Sequence, residues 1–457
     1  RVHVARQSAS RVIVARSQGG DYWISMSTDN GTTWSNPFRV GSIVSAGVYP
    51  LNENGFMVKQ LDFALDGSTA AMAFAVQGNT SGNNSIYYAE CPISVDCGSS
   101  GSWSARVTHI IAPLIATTQP PQAPPYLFSH LFSNPDLEIG DDHKRHILLH
   151  DASTAANLIR GLFHYYCTFN CTQFGSWRNP AAGADITRAQ AIDVKQYDMA
   201  VHPTSAIPHV VWEDSGKWYY SFYDAATDAW SLSTQNTPFS LPFIPANVVS
   251  NPFAVVSAGD RTFLGGKESL PDGRQQLIGF LCSLSDCRTT TGWNSQTPLN
   301  VIQGNPITKF GFSAASFYLA FADAVSGGVS QIFGLNPIQN PIVLASMNAT
   351  ATGFDAQLES VSAGPVANLT DFLVRESDGS LWLYSSSNIS SQANNGVNLT
   401  VNSVSPSPWQ APPSTVQGPP TYTRTVVFSI SDADAIPNGT ERLFLSIGLG
   451  ESPGQLA

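Results

Sequence analysis

Three segments of the chain repeat one arrangement of two cysteines and a tryptophan. The cysteine pairs are Cys91/Cys97, Cys167/Cys171 and Cys282/Cys287. In each segment a tryptophan follows the second cysteine by six positions, at Trp103, Trp177 and Trp293. An alternating or apolar run of strand-forming residues precedes each pair. Internal repetition is the sequence signature of an architecture built from similar units, so it limits the possible folds more than any other feature.

A fourth copy of this layout has no cysteines. Residues 27–34 read Ser-Thr-Asp-Asn-Gly-Thr-Thr-Trp and match the Asp-box pattern Ser-x-Asp-x-Gly-x-Thr-Trp at Ser27, Asp29, Gly31, Thr33 and Trp34. Asn-Gly is a strong hairpin turn, and Asp accepts hydrogen bonds from nearby backbone donors. The segment resembles the Asp boxes of sialidase-like β-propellers. The resemblance implies a hairpin between the third and fourth strands of a blade, with the Trp packed between blades. The cysteine loops resemble Asp boxes rebuilt with a covalent clip.

Further strand pairs occur along the chain at similar intervals. Segments 208–223, 316–334 and 371–385 each read as two strands around a turn, and two near-duplicate segments at 1–6 and 11–16 suit a first blade. The marker tryptophans at 34, 103, 177, 230 and 293 are 69, 74, 53 and 63 residues apart. About 400 residues at this interval give six or seven units. We therefore expect an all-β fold in which residues 1–404 form a six- or seven-bladed β-propeller, with seven blades favoured.

The C-terminal part of the chain has a different composition. Residues 405–421 are rich in proline and are expected to form an extended linker. Residues 422–457 contain two strand patterns with apolar side chains on one face, namely Val426, Phe428 and Ile430 in the first and Leu443, Leu445 and Ile447 in the second. Two isolated strands are not stable in water. We therefore expect this tail to dock on its own propeller or on a neighbouring one through these residues.

The cysteines are expected to form three local disulfides, Cys91–Cys97, Cys167–Cys171 and Cys282–Cys287. An even number of cysteines in close pairs is typical of secreted proteins. Closing loops this short stabilises a fold by only about 2 kcal/mol, so the bridges pin hairpin tips and do not hold the fold together. A zinc site is the alternative, but it needs four converging ligands, usually from Cys-x-x-Cys, and these spacings fit it poorly.

Nine Asn-x-Ser/Thr acceptors for N-glycans indicate the same compartment. They are Asn79, Asn83, Asn170, Asn348, Asn368, Asn388, Asn398, Asn438 and, within the Asp box, Asn30. Five of the nine lie between residues 348 and 438, which suggests a glycosylated face. The proline-rich runs at 119–125 and 405–420 are candidate sites for O-glycans. The chain opens at Arg1 without a Met, so we expect a processed, secreted and extracellular protein.

Charge and hydropathy exclude two classes of partner. The net charge is −11 and charged residues make up 12% of the chain, with no basic patch to offset phosphate repulsion, so no nucleic-acid partner is expected. No apolar run of about 18 or more residues occurs, so no membrane span is expected. Aromatic residues make up 11% of the chain, and low charge with many aromatics argues against disorder.

No catalytic set can be assigned residue by residue. The sialidase-like resemblance would imply an arginine triad, a Tyr/Glu nucleophile pair and an Asp acid/base. The Arg-Ile-Pro-type motif that precedes the first Asp box in that family is absent, and Arg6 and Arg16 flank the first strands without that context. A propeller fold hosts many functions, so it does not imply an activity. We expect a protein that is not an enzyme and has no cofactor, with a sialidase-like glycoside hydrolase as an alternative.

Two further features admit a binding function. His146 and His150 would share one face of a strand, where they could bind a metal together with a nearby aspartate. Buried, hydrogen-bonded histidines are the structural alternative, which we favour, so no metal is expected. Segments 216–224 and 379–385 resemble the aromatic repeats of fucose-binding propeller lectins, although large aromatics also form inter-blade cores. A carbohydrate-binding lectin is therefore the second functional interpretation.

A structural role accounts for the whole layout. The chain also resembles the subunits of glycosylated extracellular fibrils built from β-propellers, through its propeller, its sequons, its proline-rich stretches and its strand tail. A tail that docks on the next copy makes a head-to-tail contact, which propagates into an open filament unless it closes. We therefore expect a secreted, N-glycosylated structural or interaction protein, the repeating subunit of a homopolymeric fibril that assembles through its C-terminal strands.

Overall fold

A computed structural model of the chain describes most of its predicted strands and several of its turns. The described residues are 2–6, 8, 10–18, 21–45, 57–66, 68–77, 84–92, 94–104, 107–110, 132–140, 142–151, 161–173, 175–178, 180, 186, 194–201, 206–214, 217–231, 239–240, 255–258, 261–269, 271, 275–283, 293–302, 307–313, 318–325, 329–335, 342–348, 356–363, 369–376, 381–387, 398–403 and 425–429. From residue 255 onward the description is mainly of the backbone.

The described strands form seven antiparallel sheets, numbered in chain order. Sheet 1 comprises β1 (Val2–Arg6), β2 (Val12–Gln18), β3 (Asp21–Ser27) and β4 (Phe38–Arg39). Sheet 2 comprises β5 (Met57–Leu65), β6 (Thr69–Gln77), β7 (Asn84–Pro92) and β8 (Val107–His109). Sheet 3 comprises β9 (Phe132–Ile139), β10 (Arg145–Asp151) and β11 (Gly161–Cys167). Sheet 4 comprises β12 (Val194–Val201), β13 (Pro208–Asp214), β14 (Lys217–Asp224), β15 (Ala229–Trp230) and β16 (Phe239–Ser240).

The remaining sheets come from the C-terminal half of the chain. Sheet 5 comprises β17 (Val255–Ala258), β18 (Arg261–Ser269), β19 (Gln275–Ser283) and β20 (Trp293–Ile302). Sheet 6 comprises β21 (Ile307–Ser313), β22 (Tyr318–Val325), β23 (Val329–Leu335) and β24 (Ile342–Asn348). Sheet 7 comprises β25 (Ala356–Ala363), β26 (Leu369–Glu376), β27 (Leu381–Ser387), β28 (Asn398–Ser403) and β29 (Thr425–Ser429). Two single-turn helices, α1 (Gly41–Ser45) and α2 (Ser100–Ser104), contact each other.

In every sheet the strands follow one another in chain order, apart from β16, which pairs with β14. Each sheet is therefore an antiparallel meander. Central strands such as β6 and β13 are buried along nearly their whole length, which is why they read as continuous apolar runs rather than as an alternation. The near-duplicate N-terminal segments form β1 and β2, with Val4 opposite Val14.

The first strands of neighbouring sheets, called the inner strands below, lie side by side. β1 contacts β5, β5 contacts β9, β9 contacts β12, β12 contacts β17, β21 contacts β25, and β25 contacts β1. Four-stranded antiparallel sheets arranged side by side around their first strands are the architecture of a β-propeller. The expected all-β, propeller-like fold is confirmed. Within the described part of the chain, no helix has both the length and the apolar composition needed to cross a bilayer.

Within the described residues the hydrophobic core lies between neighbouring sheets, and four of the marker tryptophans take part in it. Trp103 belongs to a cluster formed by sheets 1 and 2. Trp177 belongs to one formed by sheets 2 and 3, and Trp230 to one formed by sheets 3 and 4. Trp34 packs against a cluster that joins sheet 1 to Leu383 of sheet 7. All four tryptophans thus occupy the position between sheets that the Asp-box resemblance implied.

Candidate functional site

The turn that follows β3 is held by hydrogen bonds among the Asp-box residues. The Asp29 carboxylate accepts the Thr33 amide through Oδ1 at 2.7 Å and the Thr33 hydroxyl through Oδ2 at 2.6 Å. Ser27 Oγ accepts the Gly31 amide at 2.7 Å and donates to Asp29 Oδ1 at 2.8 Å. Trp34 Nε1 donates to the Gly31 carbonyl at 3.0 Å. All five residues of the pattern therefore serve to build the turn.

The same hydrogen bonds keep the Asp29 carboxylate ionised. Burial by itself would raise its pKa, but the hydrogen bonds from Thr33 and Ser27 outweigh burial and hold the pKa of Asp29 below its usual value. Asn30 and Gly31 adopt left-handed backbone conformations, with φ of 59° and 86°. Two consecutive left-handed residues are what a type I′ hairpin turn requires, which explains the Asn-Gly pair.

Two cysteine clips take the place of the Asp box in the next two sheets. The disulfides are Cys91–Cys97 and Cys167–Cys171, as the sequence predicted. Trp103 Nε1 donates to the Cys97 carbonyl at 2.8 Å, and Trp177 Nε1 donates to the Cys171 carbonyl at 2.9 Å. In both clips the indole closes the turn, as Trp34 does in the Asp box. The three hairpins therefore share one hydrogen bond, from an indole to a backbone carbonyl of the turn.

The third clip begins near the end of β19. Cys282 is disulfide-bonded, and its predicted partner Cys287 lies outside the described residues. Cys282 lies opposite Trp293 in the pairing of β19 with β20. The marker tryptophan of this copy therefore begins the fourth strand of its sheet.

Sheet 1 and sheet 4 each contain the same contact between two serines, which the sequence analysis missed. Ser25 Oγ donates to the Ser35 carbonyl at 2.7 Å, and the amide after Ser25 donates to Ser35 Oγ at 3.0 Å. Ser221 Oγ donates to the Ser231 carbonyl at 2.8 Å, and the amide after Ser221 donates to Ser231 Oγ at 3.0 Å. The second serine of each pair directly follows a marker tryptophan. The Trp-Ser dipeptides at 34–35 and 230–231 were the signal that could have revealed this contact.

Aspartates recur at matching places on three inner strands. Asp62 lies on β5 in Leu-Asp-Phe, Asp136 on β9 in Pro-Asp-Leu, and Asp198 on β12 in Tyr-Asp-Met. Asp62 Oδ2 accepts the Leu137 amide at 2.8 Å, and Asp136 Oδ2 accepts the Met199 amide at 2.6 Å. Each of these two carboxylates therefore ties its inner strand to the inner strand of the next sheet.

These carboxylates lie close enough to oppose one another's ionisation. Burial raises the pKa of Asp62 to about 6, although its side chain lies at the edge of the packed strands and keeps 26% exposure. Burial, together with the charges of Asp198, Asp62 and Glu138, raises the pKa of Asp136 well above its usual value. Burial and the charges of Asp62 and Asp198 also raise the pKa of Glu138 well above its usual value. The inner strands therefore carry three carboxyl groups whose pKa values are raised above the usual values, chiefly by burial.

The inner-strand carboxylates do not assemble into a metal centre. His3 Nδ1 lies 3.6 Å from Asp62 Oδ1. Within the described ranges, no group of three or more His, Cys, Asp or Glu side chains is arranged to hold a metal ion. Two of these carboxylates accept hydrogen bonds from the neighbouring inner strand, and burial favours the protonated form of Asp62, Asp136 and Glu138.

The two histidines considered as metal ligands do not converge. His146 Nδ1 lies 3.1 Å from His164 Nε2, in the layer between sheets 3 and 4. His150, two residues along the same strand, packs edge-to-face on Tyr197 with 6.1 Å between ring centroids. Burial lowers the pKa of His146 to about 3, and burial followed by the His146 charge lowers the pKa of His164 well below its usual value. The imidazoles of His146 and His164 are therefore neutral, hydrogen-bonded core groups.

The first tail strand pairs with the last sheet of its own chain. β29 adds antiparallel to β28 as a fifth strand, with Asn402 opposite Thr425 and Asn398 opposite Ser429. The two ends of the intervening connection therefore lie side by side. Sheets 1, 2, 5 and 6 are described with four strands each, so sheet 7 is extended by the tail.

Two of the six predicted tail contact residues lie on β29. The register places Val426 opposite Val401 and Phe428 opposite Leu399. The other predicted contact residues and the predicted linker lie outside the described residues; they are Ile430, Leu443, Leu445, Ile447 and residues 405–421. The described register therefore brings apolar residues of the tail to the outer edge of the last sheet.

The described sequons lie at hairpin turns and at the ends of outer strands. Asn30 and Asn170 both have left-handed backbones, with φ of 59° and 53°. Asn348 is the last residue of β24, and Asn398 is the first residue of β28. The other acceptors, Asn79, Asn83, Asn368, Asn388 and Asn438, lie outside the described residues.

The fold is similar to that of several solved proteins at low sequence identity. A polysaccharide lyase, PL25 ulvan lyase, is 10% identical with a TM-score of 0.50, over 83% of this chain and 90% of that chain. The β-propeller domain of the Trilobed protease from Pyrococcus furiosus is 8% identical with a TM-score of 0.43, over 84% and 95%. A Trypanosoma rangeli sialidase is 11% identical with a TM-score of 0.39, over 73% and 54%.

Sequence comparison adds no relative to these structural neighbours. No protein-family model matches the chain, and no curated protein matches it at a significant level. At about 10% identity the likeness to the lyase concerns the fold alone.

Proposed function

We propose that this chain is a secreted, N-glycosylated and non-catalytic structural protein, the repeating subunit of an extracellular homopolymeric fibril. The C-terminal strand of one copy adds to the outer edge of β28 in the next copy, at the place that β29 takes within a single chain. The observation that carries the proposal is the pairing of β29 with β28 across a connection much longer than this pairing requires.

The length of the connection favours exchange between copies. Asn402 lies directly opposite Thr425, so a two-residue hairpin turn would be enough to join the two strands. The chain uses residues 403–424 instead, which can span about 65 Å at about 3.1 Å per residue. A globular chain of this length has a radius of gyration of about 22 Å. The strand can therefore reach the last sheet of a neighbouring copy as well as its own.

The outer edge of sheet 7 is also better suited to accept a strand than the edges of sheets 1, 2 and 4. The last strands of those sheets, β4, β8 and β15, are two or three residues long and offer few backbone groups for pairing. β28 has six residues, and five of them pair with β29. Apolar pairs such as Phe428 opposite Leu399 stabilise a sheet. Donor and acceptor are different surfaces of the same chain, so the contact propagates into an open filament unless it closes.

We also propose that the seven sheets close into a seven-bladed ring. Contacts of β1 with both β5 and β25 support closure, as does the apolar cluster that joins Val4 and Val14 of sheet 1 to Leu383 of sheet 7. A closed ring protects its inner strands and leaves the outer edges as the places where a strand can add. The disulfide clips and the nine sequons support passage through an oxidising, glycosylating compartment.

Negative-stain electron microscopy of three variants at equal concentration tests the proposal. The full chain is expected to form filaments. A variant that ends at Ser403 lacks the donor strand and is expected to stay monomeric. In a third variant, Asn-Gly replaces residues 403–424. This variant keeps the strand but ties it to its own sheet, so it is also expected to stay a folded monomer.

Circular dichroism and gel filtration check that both shortened variants are folded. If the tied variant forms filaments as readily as the full chain, strand exchange is not the mode of assembly. If the full chain stays dispersed at every concentration tested, the proposed fibril function is wrong.

Carbohydrate binding is the second candidate function, favoured by the fold similarity to a polysaccharide lyase. The carboxylates of the inner strands would repel an anionic ligand such as a sialoside or a uronate. Arg6, 1% exposed at the end of β1, is too deeply buried to offer its guanidinium to such a ligand. A neutral glycan is therefore the expected ligand of this alternative. Saturable binding of the tied monomer to neutral glycans on an array would support it.

A further inference from the structure

We propose that an N-glycan on Asn170 covers the aromatic ring of Phe169, so that the Cys167–Cys171 clip is a shielded modification site. The inference rests on the proposed function in one respect, because the chain must pass through a compartment that attaches N-glycans. The proposed acceptor is Asn170, and the surface that the first sugar contacts is the aromatic ring of Phe169.

The ring of Phe169 lies at the surface. Its side chain is 68% exposed, and it is the one exposed large apolar side chain among those whose burial the structure describes. The marker tryptophan of the same clip, Trp177, and that of the preceding clip, Trp103, are both buried. A phenyl ring this exposed at the tip of a hairpin offers its face to a group carried by a neighbouring residue.

The clip fixes Phe169 and its neighbour at the surface. The disulfide closes the loop from Cys167 to Cys171, and the Asn170 carbonyl accepts the Gln173 amide at 2.8 Å. Asn170 has a left-handed φ of 53°, and both Phe169 and Asn170 are exposed. The Cα atoms of consecutive residues lie about 3.8 Å apart, so a sugar joined to the Asn170 amide is within reach of the phenyl ring. The C–H face of a pyranose is apolar and suits the face of an aromatic ring.

The modification needs one co-reactant, a lipid-linked oligosaccharide pyrophosphate. A bond forms between Asn170 Nδ2 and C1 of N-acetylglucosamine, the amide loses a proton, and the bond from C1 to the pyrophosphate oxygen breaks. Thr172 supplies the hydroxyl of the sequon. Cys171 is the middle residue of the same sequon, so the sugar and the disulfide are carried by adjacent residues.

Asn30 provides a comparison within the same chain. It occupies an equivalent hairpin with a similar φ of 59°, but its neighbours are Asp29 and Gly31. The hydroxyl of its sequon, on Thr32, donates to the Asp29 carbonyl at 2.8 Å. A sugar at this position would have no aromatic ring on an adjacent residue, so the proposed contact is specific to the clip.

Hydroxyl-radical footprinting of the full secreted chain measures the exposure of Phe169 directly. Protein from cells that attach only high-mannose glycans is compared in three forms: intact, trimmed by endoglycosidase H to one N-acetylglucosamine, and freed of glycans by PNGase F. We expect the oxidation rate of Phe169 to be equally low in the first two forms and several-fold higher in the third. Buried Phe74 serves as the internal reference.

The matched control is Thr172→Ala, which removes the sequon and keeps both Asn170 and the clip. We expect its Phe169 to react at the high rate with or without enzyme treatment. PNGase F also converts Asn170 to Asp, whereas this control lacks the sugar and keeps Asn170 unchanged.

Glycopeptide mass spectrometry of the same samples distinguishes the failures. Glycans at other sequons with none at Asn170 would overturn this inference and leave the glycoprotein proposal standing, whereas no N-glycan anywhere would overturn both. An oxidation rate that is the same with and without the sugar would also overturn it. If Phe169 is protected only in filaments, whatever the glycan, the ring is a contact between copies and the inference is wrong.

Discussion

Asp62 and Asp66 lie on one hairpin, and the fold shifts their pKa values in opposite directions. At Asp62 burial dominates and raises the pKa to about 6. At Asp66 burial acts in the same direction, but hydrogen bonds from Ser68, His143 and Thr69 outweigh it and lower the pKa. The Asp66 carboxylate accepts the amides of Ser68 and Thr69 at 2.7 and 2.6 Å. The number of donors that face each carboxylate therefore decides the sign of its shift.

We expect Asp62→Asn to reduce the pH dependence of the unfolding free energy between about pH 4 and pH 6. The folded pKa lies above the usual 3.8. The wild-type carboxyl therefore contributes stability that is complete below 3.8 and is lost as the pH rises through about 6. Relative to wild type, the variant should gain about 2 kcal/mol between about pH 4 and pH 7.5. Urea unfolding followed by tryptophan fluorescence at the two pH values measures the difference.

Asp66→Asn is the matched control with the opposite sign. Because its folded pKa is lowered, the Asp66 carboxylate contributes stability that is present above 3.8 and lost as the pH falls. The destabilisation by this variant should therefore shrink towards acidic pH. His3 Nδ1 lies 3.6 Å from Asp62 Oδ1, so both aspartate variants are also measured in a His3→Gln background that has no imidazole at this position. Identical pH profiles for the two aspartate variants would contradict the assignment.

The buried pair of His146 and His164 is expected to stay neutral across the range in which histidine normally titrates. Burial lowers the pKa of His146 from 6.5 to about 3, so the contribution of this side chain to stability is present above 6.5 and is lost as the pH falls. Selective ¹³C labelling of histidine should give two NMR signals that do not move between about pH 8 and pH 5. His146→Gln identifies one of them. Midpoints near 6.5 for these two signals would show that the pair is not buried as described.

At the scale of the element, one hairpin position is built by different local chemistries. The Asp box uses the hydrogen bonds of Asp29, whereas the clips use a disulfide, and each turn presents an indole to the gap between sheets. The turns also contact one another across that gap. A Cβ added to Gly98 would lie 2.6 Å from the Cβ of Ser35, which follows Trp34 in the neighbouring sheet. Gly98 is therefore required by the close approach of two hairpins.

Gly98→Ala is expected to lower the unfolding free energy by about 1–3 kcal/mol, because Ser35 must move to admit the methyl group. The same substitution should cost less in a Ser35→Gly background. Gly101→Ala is the control, since an added Cβ there meets only Ser99 Oγ at 3.7 Å. Its effect should stay within about 0.5 kcal/mol. Urea unfolding of the four variants measures these values, and equal costs for Gly98→Ala in both backgrounds would contradict the contact.

At the scale of the whole molecule, the proposed donor strand β29 and the proposed acceptor edge β28 are different surfaces of one chain. A filament assembled through this exchange would have a direction. The two ends of such a filament differ, because one exposes an unfilled β28 edge and the other an unplaced tail. Growth should therefore be sensitive to any subunit that can accept a strand without donating one.

The variant that ends at Ser403 is expected to act as a chain terminator. It keeps the β28 edge and lacks β29, so each copy that joins a filament accepts a tail and offers none. When this variant is mixed with the full chain at about one part in ten, it should shorten the filaments, as measured by electron microscopy. The tied variant, whose edge is already filled, should leave filament length unchanged. Equal shortening by both variants would show that the β28 edge is not the acceptor.

The sequence by itself determined the hairpins of this protein. The Asp box, the clips and the strand patterns act within about ten residues, so each can be recognised without knowing what lies beside it. The tertiary structure alone decided which hairpins meet. Asp62 reads as an ordinary strand aspartate until β9 brings the Leu137 amide to it, 75 residues later in the chain. The pairing of β29 with β28 depends in the same way on which edge is within reach, because a strand pattern carries no record of its partner.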